Sequence, residues 1–227
     1  MLFFEEALAS TDEILNKGQI EFSQLQFTNK FEISASNLSY LFKALAKSDK
    51  DLLPRKIVNS NGSISYRYKL AAYEKKATLY ELEKLIKNPP QYKFEKDFIR
   101  SAFLRLQALK VKVIIGRIPA EKISALWIPS RKMIMIDSKS LSLGTRAFSI
   151  LLNHEMIHIA QSCSSGSITR EPRILGAKRS LRPIHKKTLS SSTYKEYSYD
   201  QKLLEKEAYA NQEDLSLGYW LIGRYCM

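Results

Sequence analysis

The sequence predicts an α+β domain over residues 93–227, preceded by a small, mostly helical module over residues 1–92. Three observations carry this. Short apolar runs of strand length fall at 111–115, 125–128 and 132–137. A long apolar stretch opens at Gly144-Thr145 and runs through Phe148, Leu151, Leu152, Ile157 and Ala160, as a buried helix does. Asn88-Pro89-Pro90 breaks a helical stretch and marks a boundary between the module and the domain.

The elements follow in order. Phe3, Phe4, Leu8, Ile14 and Leu15 suggest a first helix. Ser36-Asn37 is a good N-cap for a helix through Leu38, Leu41, Phe42 and Leu45. Arg55-Lys56-Ile57-Val58 and the alternating run from Ile64 to Leu70 form a hairpin around Asn61-Gly62. Residues 72–87 return to helical spacing. Helices followed by a basic hairpin resemble a winged helix, with the wing at 55–70 and the helix at 37–47 in the groove. Past the boundary, residues 94–109 read as a helix with Phe98, Ala102, Leu106 and Leu109 on one side. The three strand-like runs follow, with Ser130-Arg131 at a turn, and then the long apolar helix. Residues 163–198 are rich in Ser, Lys and Arg, and a last helical stretch begins near Tyr199.

Composition narrows the class. Hydrophobic residues make up 44% of the 227, so the chain has the material for a packed core and is not a disordered chain. The net charge of +13 is uneven: residues 1–92 carry +2 and residues 93–227 carry +11. A basic face of that kind attracts nucleic acid, anionic lipid or acidic proteins, or is simply solvated. Met1-Leu2-Phe3-Phe4-Glu5-Glu6 lacks the basic start and apolar stretch of a signal peptide. No run approaches the length of a transmembrane helix. The two cysteines, Cys163 and Cys226, do not make a disulfide framework, and that suits a reducing compartment. Together these readings give a cytoplasmic location.

The chemistry lies in His154-Glu155-Met156-Ile157-His158. Residues four apart on a helix face the same way, so His154 and His158 can present two imidazoles to one ion. Zn²⁺ accepts neutral imidazole nitrogens and tolerates low coordination numbers. Glu155 is turned by roughly 100° around the axis and can reach a water on the ion without being a ligand. The metal lowers the pKa of that water, and the carboxylate takes its proton. Two of the chain's three histidines sit in this motif, and its flanks, Leu151-Leu152 and Ile159-Ala160, are apolar. The alternative is a pair of core histidines satisfied by hydrogen bonds.

This motif, on a helix that follows a small sheet, resembles the zincin metallopeptidases. The resemblance implies an active-site helix, an edge strand that aligns substrate, and a third ligand. Metzincins place Gly and His where this chain has Gln161 and Ser164, so that subclass does not fit. Gluzincins take a Glu from a later helix, followed by Asp or Asn. Two overlapping registers offer it, Glu205-Lys206-Glu207-Ala208-Tyr209 and Glu207-Ala208-Tyr209-Ala210-Asn211. The second keeps an Asn that would orient a ligand histidine, which favours Glu207, with Glu205 as the alternative. The two stand roughly 200° apart on a helix, so only one can ligate.

Other residues could contribute. His185, in Arg182-Pro183-Ile184-His185-Lys186-Lys187, reads as part of an exposed loop, from which it could ligate or stabilise an oxyanion. Tyr194, Tyr197, Tyr199 and Tyr209 could each donate to an oxyanion, or simply pack. Cys163 reads as helical filler. Residues 170–187 hold seven Lys and Arg against Glu171 alone, a candidate surface for an acidic partner or nucleic acid. The function these residues suggest is zinc-dependent peptide-bond hydrolysis, with a peptide or protein as substrate. The other classes are a nucleic-acid-binding regulator with a metal-sensing domain, and a purely structural metal domain.

Overall fold

The computed structural model describes residues 30–68, 77–118, 123–177, 179–191, 194–195 and 197–227. The helix expected at Phe3–Leu15 and the stretches 69–76 and 119–122 lie outside the described residues.

The architecture is mixed α and β. A four-stranded sheet has the order β1-β4-β6-β5, with β1 at Phe31–Ile33, β4 at Lys112–Gly116, β5 at Ala125–Ile128 and β6 at Met133–Asp137. β4 and β6 run parallel, while β1 and β5 lie antiparallel to them on the two edges. The three strands expected in the second half all form. β2 (Arg55–Val58) and β3 (Ile64–Arg67) make a separate hairpin. Gly62 at its tip takes φ +79°, a conformation that glycine adopts without steric cost.

Helices pack around the main sheet. They are α1 (Leu38–Leu52), α2 (Leu79–Lys87), α3 (Lys93–Ala108), α4 (Gly144–Ser164), α5 (Pro183–Leu189), α6 (Tyr199–Asn211) and α7 (Leu215–Tyr225). α4 is the centre of the molecule, burying Phe148, Leu152, Met156, Ile157, Ile159 and Ala160 completely. The core joins residues of α1, α3, α4 and α7 to the inner face of the sheet. α7 approaches α4 closely because position 218 is glycine: a Cβ there would stand 2.2 Å from Asn153 Oδ1.

The expected boundary at Asn88-Pro89-Pro90 does not divide the molecule into separate cores. β1 pairs with β4, and Leu38, Leu41 and Leu45 of α1 are buried in the same core as α4. Asp49 of α1 caps the metal-motif helix itself, accepting from the Thr145 backbone N–H at 2.8 Å and from its hydroxyl at 2.6 Å. The reason is physical: an amphipathic helix such as α1 needs a partner, and its partner is 96 residues downstream. α1 is thus a support for α4 rather than an element of a self-contained winged-helix module. The exposed hairpin is tied to α2 by Tyr66 donating to Glu83 at 2.9 Å.

The cysteine reading is also corrected. Cys163 at the end of α4 is bonded to Cys226 just after α7, so Cys163 is a cross-link and not filler. Disulfides persist in oxidising environments, which removes the cysteine argument for a cytoplasmic location. No helix among the described residues is long and apolar enough to cross a membrane.

Candidate metal centre

α4 is buried on nearly all sides, and its polar residues therefore need partners. His154 and His158 point together: their Nε2 atoms lie 3.0 Å apart, and their rings meet edge to face at 4.7 Å. Glu205 of α6 completes the group, with carboxylate oxygens 3.4 Å from His154 Nε2 and 3.6 Å from His158 Nε2. These three ligand atoms all lie within 4.8 Å of one another and could hold a metal ion.

The group that could hold an ion thus takes Glu205, the alternative third residue, and leaves out the favoured Glu207. α6 turns Glu205, Tyr209 and Gln212 toward the histidines. Residues seven apart on a helix differ by only roughly 20° in direction, whereas Glu207 is rotated roughly 200° away. Glu207 is buried elsewhere, accepting from Gln161 Nε2 and from the backbone N–H groups of Leu175 and Ala177. Asn211, expected to orient a ligand histidine, donates instead to the carbonyls of Glu207 and Ala177.

Two glutamines do the orienting. His154 Nδ1 lies 2.9 Å from Gln212 Oε1, and His158 Nδ1 lies 2.7 Å from Gln161 Oε1. An amide oxygen only accepts, so each Nδ1 carries the hydrogen. Each Nε2 is then left with a lone pair aimed at the other and at the Glu205 carboxylate. Three lone-pair donors converging in a buried space need a cation or a proton between them.

Glu155 is 3% exposed, and the Trp127 backbone N–H on edge strand β5 donates to it. Its Oε2 is buried with no hydrogen-bond partner. An orphaned acceptor beside two imidazoles suits a donor that comes with a bound ion. Burial raises the Glu155 pKa, opposed by the nearby His154 and His158. Without a metal, burial disfavours a charged His158, but the Glu205 carboxylate outweighs it and holds the imidazole up at about 9. Glu205 is held well below the usual carboxylate range, as the imidazoles overcome its own burial.

The remaining candidates divide. Tyr209 is buried against His154, its ring centroid 4.8 Å away, and its hydroxyl pairs with Tyr194 at 2.9 Å. Burial, reinforced by the Glu205 charge, pushes Tyr194, Tyr197 and Tyr209 upward, so all three stay neutral donors. Tyr199 is 75% exposed at the start of α6 and is not brought to the site. His185 sits on α5, buried, and not on an exposed loop as expected. It stacks on Tyr209 at 5.0 Å and faces Gln212 Nε2 at 3.3 Å. Burial lowers its pKa to about 4. It lies behind His154, across Gln212, and outside the ligand group. In the basic segment, Arg179 pairs with Asp214 at 2.5 Å and Arg182 with Glu213. At these two arginines the expected partner-binding surface is folded back onto the chain's own acids.

Sequence reasoning missed Gln161, Gln212 and the Trp127 backbone. Gln161 lies three residues after His158 on one helix face, a spacing that could have signalled it. Gln212 stands seven after Glu205, a signal readable only once Glu205 is chosen. Trp127 acts through its main chain, which leaves no mark in the residue type. Compared with known protein families, curated proteins and solved structures, the chain matches none.

Proposed function

We propose that this chain is a zinc-dependent hydrolase of peptide bonds. The observation that carries the reading is the convergence of His154, His158 and Glu205 beside a buried, half-satisfied Glu155. Two imidazoles and one carboxylate, with tautomers fixed from behind, are a donor set that suits borderline divalent cations, Zn²⁺ among them. A bound zinc would supply Lewis-acid activation of water and of a substrate carbonyl.

The chain's own residues divide the remaining work. Gln161 and Gln212 hold the two Nδ1–H groups so that both Nε2 lone pairs face inward. Glu155 is the general base: burial brings its pKa nearer the working range, so it can take a proton from the attacking water and return it to the leaving amine. The Trp127 N–H fixes one of its oxygens and leaves the other free for that water. Tyr209, neutral and packed on His154, is the candidate donor to a developing oxyanion, its hydroxyl now paired with Tyr194.

The test is hydrolysis of unfolded casein by the zinc-loaded chain. Activity that Glu155→Gln abolishes while zinc remains bound supports the reading. Bound zinc without turnover favours a second reading, a structural metal domain, which the near-complete burial of His154, Glu155 and His158 supports.

A further inference from the structure

Glu207 accepts three hydrogen bonds although it touches neither histidine: from Gln161 Nε2 at 2.9 Å, the Leu175 N–H at 2.9 Å and the Ala177 N–H at 2.7 Å. Its effect is on Gln161. An amide side chain can sit either way round, and its neighbours choose. As placed, Gln161 gives its NH₂ to the Glu207 carboxylate and the Leu204 carbonyl, and its oxygen to His158 Nδ1. Reversed, the amide oxygen would face a carboxylate and a carbonyl with no hydrogen between them, and the NH₂ would meet the imidazole Nδ1–H. The buried negative charge of Glu207 makes that arrangement costly.

We infer that Glu207 is a positioning residue which, through Gln161, fixes the tautomer and orientation of His158 and couples the 171–177 strap to the metal centre. The inference rests on the zinc reading above. Among the described residues, no carboxylate is bonded to the amide that holds His154: the NH₂ of Gln212 faces the uncharged His185 at 3.3 Å. The two histidines are thus held unequally, and on the His158 side the orienting amide is itself bonded to the carboxylate that holds the strap. The strap is also tied to α4 directly, through the Arg173 N–H donating to the Gln161 carbonyl at 3.1 Å. Coupling of this kind is reciprocal: the factor by which an ordered strap tightens metal binding is the factor by which metal orders the strap.

The test uses the full chain, zinc and cobalt as probes, and three variants: Glu207→Gln, Glu207→Asp and Gln161→Leu. Zinc affinity is read by competition with a chromophoric chelator, ligand geometry by the visible spectrum of bound cobalt, and the strap by amide hydrogen exchange of Leu175 and Ala177. Zinc should slow exchange at those two amides in the wild type. Glu207→Gln and Gln161→Leu should weaken zinc about 10–100-fold, the usual effect of losing an outer partner, shift the cobalt bands and remove the zinc response of the strap. Glu207→Asp should restore some of the affinity. Wild-type zinc affinity and an unchanged cobalt spectrum in both Glu207→Gln and Gln161→Leu would overturn the inference and leave the metal reading intact. A wild type that binds no metal removes both. If a variant fails to fold, by circular dichroism, the wild-type exchange decides: no zinc response at Leu175 and Ala177 overturns the coupling.

Discussion

At neutral pH the metal-free site holds a proton that an incoming cation must expel. His158 is the carrier: burial works against its charge, but Glu205, aided by Glu155 and the Gln161 oxygen, holds its pKa at about 9 against an ordinary value of 6.5. The direction of the shift fixes the sign. A raised histidine pKa stabilises the metal-free fold fully below about pH 6.5, and that contribution is lost as pH rises through about 9. Metal binding has the opposite slope, because zinc needs the unprotonated Nε2. At pH 7, about two units below the folded value, only about 1% of His158 is neutral. At ~1.4 kcal/mol per unit this costs about 3 kcal/mol of zinc affinity, near 100-fold. Apparent affinity should therefore rise about tenfold per pH unit between pH 7 and 9 and then level off. The assay is chelator competition across that range, with calorimetry in buffers of different ionisation enthalpy to count protons. About one proton should leave per zinc at pH 7.5. In Glu205→Gln the anion that holds the proton is gone, so the slope should vanish above pH 7 although affinity itself drops. A flat wild-type profile, or an undiminished slope in Glu205→Gln, would refute the reasoning.

Three further outcomes follow from the packing. Asp49→Ala removes a charged cap that takes two hydrogen bonds at the α4 N-terminus, and should lower urea stability by about 2–3 kcal/mol. A loss under ~0.5 kcal/mol would show that α1 does not anchor the helix. Gly218→Ala puts a methyl 2.2 Å from Asn153 Oδ1 and should cost about 1–3 kcal/mol in the same assay, with α7 the first element to lose exchange protection. Cys226→Ser opens a 63-residue cross-link and should cost about 4 kcal/mol if chain entropy dominates. Equal melting of this variant and the wild type, before and after reduction, would rule that cross-link out as a stabilising element.

Much of the site is legible in the sequence because its signals are local. The i, i+4 histidines lie on one helix, where spacing alone fixes direction. The 125–128 and 132–137 runs are strands because each is short, apolar and bounded by turn residues. The choice between Glu205 and Glu207 is not local. Both fit a helix, and the answer depends on which face of α6 turns to α4. The Glu205, Tyr209 and Gln212 face does so, while Glu207 is drawn off by the Leu175 and Ala177 amides. β1 is invisible in the sequence because three residues are too few for an alternating pattern. The domain boundary fails because Leu38, Leu41 and Leu45 show that α1 is amphipathic but not what it covers. His185 reads as exposed because Lys186 and Lys187 beside it suggest a loop. On a helix that begins at a proline, those lysines can face water while His185 faces Tyr209.

The most direct measurement of the central claim is zinc content by elemental mass spectrometry on the purified full chain, with His158→Ala and Glu205→Ala alongside. One zinc per wild-type chain is expected, and none in either variant. A wild type that takes up no zinc after incubation with the metal, or variants that keep it, would contradict a metal centre built from His154, His158 and Glu205.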